Sequence, residues 1–175
     1  MAAVLIVYST TDGHTRKICQ RLRELIEADG HRVTLVSVEE AGAADLAPFD
    51  KIVVGASIRY GRHSARVLAF VNDNERALHA KPSAFFSVNI VARKLNKNRP
   101  ENNPYLQKFL QQVRWRPKLV EVFAGKLNYP RYGVFDRLMI RMIMWITRGP
   151  SDSAAVVEFT DWQRVDVFAR RVARM

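Results

Sequence analysis

The chain has 175 residues, a length typical of one domain, and its formal net charge is +11. With 48% hydrophobic residues it can bury a core, which argues against intrinsic disorder. The charge is uneven, because residues 93–148 carry a net charge of +10, residues 1–92 carry +1 and residues 149–175 are neutral overall. Such a basic segment suggests an anionic partner, such as nucleic acid, acidic lipid or a polycarboxylate.

Short apolar runs predict the strands of an α/β protein. Helical patterns fall between these runs, so an open parallel sheet with helices on both faces is expected. In such sheets ligands bind beyond the carboxyl ends of the strands, which makes the loops after the first, third and fourth strands the candidate sites. The predicted strands are Val4–Tyr8, Val33–Val38, Ile52–Ala56, Ala84–Val88 and Val120–Ala124.

Helix signals follow the first strand, the third strand and the last apolar run. The single cysteine, Cys19, is expected to be buried on the apolar face of the first helix, and its isolation favours a reducing compartment. Ser64 is expected to cap one helix that extends through Leu78. Thr160 and Gln163 form a plausible capping box for the C-terminal helix.

The loop after the first strand is rich in hydroxyl groups and leads directly into a helix. Backbone N–H groups and hydroxyls at a helix N-terminus can bind a phosphate, although a helix cap without any ligand is the alternative. The loop is neither a Walker motif nor a Gly-x-Gly-x-x-Gly turn. Asp12 is the one residue of this loop that does not suit a phosphate, because a carboxylate beside a phosphate is unfavourable unless it points away. The loop consists of Ser9, Thr10, Thr11, Asp12, Gly13, His14 and Thr15.

The loops after the third and fourth strands, Gly55–His63 and Ser87–Lys94, mix small and apolar residues with exposed backbone amides. A flat aromatic ring system fits between two such loops, with Tyr60 as a stacking surface. Taken singly, each loop is equally consistent with a plain surface turn.

These residues resemble those of the flavodoxin-like proteins, and in particular the quinone-dependent protoporphyrinogen oxidases of bacterial haem synthesis. The resemblance extends over nearly the whole chain. Its phosphate loop is shared by many flavoproteins, whereas residues 55–61, 87–94 and 129–132 together are much more specific.

The resemblance implies a flavodoxin-like sheet of five parallel strands in the order 2-1-3-4-5. It also implies FMN as cofactor, protoporphyrinogen IX as electron donor and a membrane quinone as acceptor. The protein would then be a peripheral enzyme at the cytoplasmic face of the cell membrane. Besides the hydroxyl-rich loop, the residues expected to bind the cofactor are Ser57, Ile58, Arg59, Tyr60, Ser87, Val88 and Asn89.

Residues 93–118 are strongly basic, and three readings of them are open. They could form a solvated charged face, or bind the two propionates of a porphyrinogen. Interleaved aromatic residues such as Tyr105 and Trp115 also fit single-stranded nucleic acid, but that reading leaves the flavin-type loops unexplained, so no nucleic acid is expected.

We interpret the chain as one domain, 1–175, with an insert at about 130–155 that interrupts the last strand, whose second half would be Val156–Phe159. Ten of the fourteen residues 134–147 are apolar, and Arg137, Arg141 and Arg148 share one stripe. As a helix this segment would be about 21 Å long, too short to cross a ~30 Å hydrocarbon core. The pattern is typical of a helix that lies in the interface of an anionic membrane, although a core or dimer-interface helix is the alternative.

Positive charge near a flavin stabilises its reduced anion, and Arg59, Arg62 and Arg93 are the candidates for this effect. The sequence marks no general acid or base. Two rival functions on the same fold remain open at this stage, namely a flavodoxin-type electron carrier and an NAD(P)H-dependent quinone reductase. The net charge of +11 weighs against the carrier, because such carriers are usually acidic where they dock.

Overall fold

The computed structural model describes residues 1–42, 45–128, 133–146 and 156–175. In these ranges, strands and helices alternate through most of the chain, and two short 3₁₀ helices follow the fifth strand. The elements are β1 (Ala3–Ser9), α1 (His14–Ala28), β2 (Arg32–Ser37), β3 (Lys51–Arg59), β4 (Arg62–His63), α2 (Ala65–Asp73), α3 (Glu75–Ala80), β5 (Ser83–Asn89), α4 (Pro104–Gln112), β6 (Leu119–Ala124), β7 (Lys126–Asn128), α5 (Val134–Ile146), β8 (Val156–Glu158) and α6 (Trp162–Ala173).

The central sheet has the order β2-β1-β3-β5-β6, and all of these neighbours are parallel. Since β5 and β6 are the fourth and fifth predicted strands, this confirms the predicted order 2-1-3-4-5. The two-residue strand β4 adds a hairpin to the end of β3. Parallel pairing brings the carboxyl ends of β1, β3 and β5 to one edge of the sheet.

Two apolar layers cover the faces of the sheet, as its continuously apolar strands require. Helices α1 and α6 pack on one face and α2, α3 and α4 on the other. All seven side chains of β5 are buried. Gly55 of β3 lies opposite Phe86 of β5, and a Cβ at this position would overlap the Phe86 ring. Only glycine therefore lets this buried ring pack across the sheet.

Two helix boundaries differ from those predicted. The helix that begins at Ser64 ends at Asn74, where a second helix begins, because the Asn74 side-chain amide donates to the Phe70 carbonyl at 2.8 Å and competes with the helical pattern. Asp161, and not Thr160, caps α6 by accepting from the N–H groups of Gln163 and Arg164.

The insert leaves and re-enters the domain as a two-stranded antiparallel ribbon, in which Lys126 lies opposite Glu158. The expectation that Val156–Phe159 continues the last parallel strand is therefore wrong. The chain turns away from β6 at Gly125, and a segment that returns directly beside the outgoing one must run antiparallel. Residues 129–132 and 147–155, with Arg148, lie outside the described residues. Within the described ranges, every helix is too short or too polar to cross a bilayer.

Candidate functional site

A cavity of about 270 Å³ lies at the carboxyl ends of β1, β3 and β5 and is bounded on one side by α5. It brings together ten of the fourteen residues predicted to bind a cofactor. The other four, Ser9, Thr10, Gly13 and Ser87, do not line it. The ten lining residues are Thr11, Asp12, His14, Thr15, Ser57, Ile58, Arg59, Tyr60, Val88 and Asn89.

The hydroxyl-rich loop wraps the start of α1. Gly13 has φ 88° at the N-cap, and its N–H donates to Thr10 Oγ1 at 3.0 Å. Asp12 Oδ1 accepts from the His14 N–H at 3.1 Å, so this carboxylate oxygen is directed to the backbone at the helix start. Thr15 is fully buried, and its hydroxyl has no hydrogen-bond partner in the described part of the chain. A buried hydroxyl at a helix N-terminus that lines a cavity fits the phosphate group of a flavin mononucleotide.

His14 joins this loop to the end of the sheet. Its Nε2 lies 2.6 Å from Thr160 Oγ1, and the Thr160 hydroxyl donates to the Ala124 carbonyl at 2.7 Å. Because the single hydroxyl proton goes to Ala124, Thr160 must accept from His14, so Nε2 carries the hydrogen. Burial lowers the pKa of His14, and the nearby Glu158 carboxylate opposes this effect. The imidazole is therefore neutral at pH 7 and ties the loop to β6.

Tyr60 and Gly61 form the tip of the β3–β4 hairpin. Their φ angles are 51° and 74°, as a two-residue type I′ turn requires. A tyrosine with positive φ is strained, and such strain is often found at functional sites. Tyr60 is half-exposed and lines the cavity, where its ring can stack on a flat ligand. The Arg59 guanidinium lies 5.0 Å from the centroid of that ring.

Of the three arginines predicted to lie near a reduced flavin, only Arg59 lines the cavity. Arg62 pairs with Arg59 in the hairpin register, on the short strand β4. Arg93 donates to the Ile90 carbonyl at 3.4 Å, and its guanidinium lies 5.9 Å from the Phe159 ring centroid. The structure thus leaves Arg59 as the arginine in position to act on a ligand in this cavity.

A buried polar network supports the loop after β5. Asn89 and Asn103 exchange side-chain hydrogen bonds of 3.1 and 3.2 Å, and Asn89 also accepts from the Ala92 N–H at 3.1 Å. Ser87 Oγ accepts from Asn89 and lies 2.9 Å from His63 Nε2. Burial lowers the pKa of His63 to about 4. Asn103 was not predicted as part of the site, although its position before Pro104 is typical of a helix N-cap.

The apolar wall opposite these loops comes from the insert and was not predicted. Leu127 of β7 and Met139, Ile140 and Met144 of α5 line the cavity. Leu127 and Met144 are both buried and form a small apolar cluster with Ile140. One face of α5 is therefore packed against the domain, which the expectation of a helix lying in a membrane interface did not include.

The opposite face of α5 is apolar and exposed. The large side chains of this face, together with exposed Arg141, lie at helical spacing along the helix. We call this stripe the outer face of α5. Its members are Val134, Leu138, Met142 and Trp145, with exposed fractions of 76%, 60%, 54% and 78%.

Residues 5–154 match a family model described as a flavodoxin domain. The chain belongs to the flavodoxin family. It is 46% identical over 172 residues to a protein from Leishmania major named protoporphyrinogen IX dehydrogenase [quinone], covering 98% of this chain and 74% of that protein. It is 41% identical over 171 residues to the protein of that name from Escherichia coli K12, covering 98% and 94%. The chain therefore also belongs to this family of oxidoreductases, as its loop residues predicted.

Solved structures agree with the fold. Flavodoxin 1 from Bacillus cereus aligns with a TM-score of 0.56 at 13% identity, covering 99% of this chain and 98% of that one. Megasphaera elsdenii flavodoxin aligns with a TM-score of 0.54 at 18% identity, covering 68% and 84%. At such low identities, these similarities show the fold alone. They confirm the flavodoxin-like fold, and the match to a flavodoxin domain indicates a flavin as the cofactor.

Proposed function

We propose that this protein oxidises protoporphyrinogen IX to protoporphyrin IX with FMN as its cofactor, and that a membrane quinone accepts the electrons. The observation that carries the proposal is the buried hydroxyl of Thr15 at the start of α1, which lines a cavity at the strand ends and has no hydrogen-bond partner among the described residues. The reaction is that of the relatives' printed name, and the chain is 41–46% identical to these relatives over nearly its whole length.

In this proposal the phosphate of FMN lies at the N-terminus of α1, where Thr15 and the first backbone N–H groups of the helix bind it. The loops Ser57–Tyr60 and Val88–Asn89 would hold the ring system, and Tyr60 would offer it a stacking surface. The bound flavin supplies the electron-accepting chemistry, and the protein supplies position and charge. The polar network around Asn89 keeps the second loop in place. Arg59 lines the cavity, and its positive charge would favour the reduced form of the flavin.

The insert would shape the substrate side of the cavity. A porphyrinogen is an apolar macrocycle with two propionates, so it needs an apolar surface and cationic groups at one edge. The side chains of Met139, Ile140 and Met144 supply the apolar surface and exclude water from the cavity. The basic residues of segment 93–118 supply cations outside the cavity. Hydride equivalents leave the porphyrinogen stepwise, and each pair of electrons is passed on to one quinone.

We also propose that the outer face of α5 attaches the protein to the cytoplasmic face of an anionic membrane. Four exposed apolar side chains at helical spacing form the contact, and Arg141 on the same helix can reach lipid phosphates. The net charge of +10 in residues 93–148 supports an anionic lipid surface as the occupant. Attachment at this face would hold the cavity close to the quinone pool.

The test of the reaction is anaerobic mixing of FMN-loaded protein with protoporphyrinogen IX and a soluble quinone, followed by porphyrin fluorescence. Fluorescence should rise only when protein, FMN and quinone are all present. Flavin that is reduced by NADPH but not by the porphyrinogen would overturn the proposal in favour of a quinone reductase. Protein that takes up no FMN would remove its basis.

A matched pair of variants tests the cofactor site itself. Thr15→Val removes the buried hydroxyl with little change of shape, and we expect FMN to bind roughly tenfold more weakly because a hydrogen bond to a charged group is lost. Thr34→Val, on strand β2 away from the cavity lining, is the control and should bind FMN like the wild type. Equal affinities for the two variants would contradict the placement of the phosphate.

A further inference from the structure

The phosphate end of the cavity has a charge imbalance. The loop Ser9–Thr15 contains no lysine or arginine, and it contributes the carboxylate of Asp12. The nearby imidazole of His14 is held neutral by burial. A phosphate dianion placed here would meet hydroxyls, backbone N–H groups and another anion. The positive end of the α1 dipole offsets only part of that charge.

We propose that Lys126, the first residue of the insert's ribbon, is the cationic partner of the cofactor phosphate. This inference rests on the proposed FMN site and adds to it a binding residue from outside the phosphate loop. Lys126 lines the same cavity as Asp12, His14 and Thr15. The site is then assembled from two parts of the chain, since the loop binds the phosphate by hydroxyls and amides and the insert neutralises it.

The fold directs Lys126 to this end of the cavity. The N–H of Gly125 donates to the Asn89 carbonyl at 3.3 Å, which fixes the start of β7 beside the end of β5. Two residues before Lys126, the Ala124 carbonyl is joined through Thr160 to His14. The positive charges of Lys17 and, to a smaller extent, Lys126 also contribute to lowering the pKa of His14, as expected for two cations close to the start of α1.

The other cations near this site are placed for different contacts. Lys17 of α1 forms an ion pair with Glu158 at 3.3 Å, lies 4.9 Å from the centroid of the Trp162 ring and does not line the cavity. Arg59 lines the cavity from the tip of the hairpin, beside the Tyr60 ring. Glu158, which lies opposite Lys126 in the ribbon, accepts from Trp162 Nε1 at 2.6 Å and from Lys17. Among the described residues, Lys126 is the only lysine that lines this cavity.

The inference predicts how the protein discriminates FMN from riboflavin, which has the same ring but no phosphate. Both flavins are titrated into flavin-free protein, and the quenching of flavin fluorescence gives two dissociation constants and their ratio. In Lys126→Met the preference for FMN should fall roughly tenfold to hundredfold, as expected for the loss of a charged hydrogen bond. The affinity for riboflavin should stay as in the wild type. Lys126→Arg should restore most of the preference.

Lys17→Met is the matched control, because it removes the same charge from the same neighbourhood but from outside the cavity lining. It should leave the preference for FMN unchanged. Raising the salt concentration should weaken FMN binding more in the wild type than in Lys126→Met, since only the wild type would retain the charge pair.

Three outcomes would overturn the assignment. An unchanged ratio in Lys126→Met would mean that the phosphate does not meet this lysine. An equal loss for FMN and riboflavin would mean that the substitution acts on the shape of the insert. An unchanged ratio with a raised KM for the porphyrinogen would assign the lysine to the substrate's carboxylates. If the wild type bound neither flavin, the proposed function itself would fail, which the wild-type titration alone reveals.

Discussion

The cavity has two walls that are built in different ways. The strand-end loops grow out of a parallel sheet and are supported from below by side-chain hydrogen bonds among Ser87, Asn89 and Asn103. The insert is joined to the domain by a ribbon of two three-residue strands and by a small apolar cluster around Leu127 and Met144. The first wall is thus fixed by the core of the domain, whereas the described residues of the insert make few buried contacts.

This difference separates what the fold supplies from what the insert adds. The loops provide the features that flavodoxin-like proteins share, a helix N-terminus for a phosphate and two loops for a ring. The insert provides an apolar wall, a lysine and an exposed stripe.

The largest change in the free energy of unfolding is expected for Asn103→Ala. Asn103 is fully buried and forms side-chain hydrogen bonds with Asn89, the Lys97 carbonyl and the Leu106 N–H. Its loss leaves several buried polar groups without partners, so the free energy of unfolding should fall by about 3 kcal/mol. Denaturant titration measures this change. The exposed neighbour Asn102, which accepts from the Arg99 N–H, should lose only about 0.5 kcal/mol on substitution by alanine. Equal losses would mean that the network does not support the loop.

The second prediction concerns the stability of the protein at acidic pH. Burial lowers the pKa of His63 to about 4, below the ordinary value of about 6.5 that the unfolded chain would have. The unfolded state therefore binds more protons in this range, so stability is complete above pH 6.5 and is lost as the pH falls. Between pH 7 and pH 4.5 this one group should cost about 2.5 kcal/mol.

His63→Gln keeps a polar group that can reach Ser87 but cannot titrate. The fall in the free energy of unfolding between pH 7 and pH 4.5 should therefore be smaller in this variant by about the same 2.5 kcal/mol. His14 titrates in the same direction in both proteins and cancels in the comparison. Parallel pH profiles for the two proteins would show that His63 is not held neutral by its surroundings.

The loops of the first wall could be predicted from the sequence better than the insert that forms the second. The strand order could be predicted because buried parallel strands appear in the sequence as apolar runs. Ten of the predicted site residues line the cavity because ligands of such sheets bind at the carboxyl ends of the strands. Asn103 was missed because it lies fourteen residues from Asn89, and a side-chain pair at that separation leaves no local pattern. The cap at Asp161 was missed because Thr160, the residue before it, is also a typical N-cap residue. Only the structure shows that the Thr160 hydroxyl donates to the Ala124 carbonyl instead.

The insert was harder to predict because its helix has two apolar faces. Residues 134–147 read equally well as a membrane-surface helix or a core helix, since composition does not say which face meets the domain. The structure packs Met144 inward and leaves Trp145 outward. The pairing of Val156–Glu158 with β7 could not be read from three apolar-patterned residues, because a strand pattern does not specify its partner.

The third prediction compares two methionines of α5. Met144 is 1% exposed in the cluster with Leu127, whereas Met142 is 54% exposed on the outer face. Met144→Ala should cost about 2 kcal/mol, the lower end for a buried methionine, because the cluster is small. Met142→Ala should cost less than about 0.5 kcal/mol. Hydrogen exchange of the α5 amides measures the effect where it arises, and equal protection in the two variants would show that the inner face does not hold the helix.

The smallest effect on stability is expected for the double variant Leu138→Ser and Trp145→Ser on the outer face. Both side chains are exposed, so the free energy of unfolding should change by less than about 0.5 kcal/mol for each. Co-sedimentation with anionic vesicles should nevertheless be strongly reduced, because the proposed contact buries these two side chains in the interface. Val167→Ser, which removes an equally exposed apolar side chain from α6, is the control and should pellet like the wild type. If the wild type, the double variant and Val167→Ser pelleted equally, a lipid surface would be excluded as the partner of the outer face. Repeating the assay with neutral vesicles separates the apolar contribution to binding from the electrostatic one.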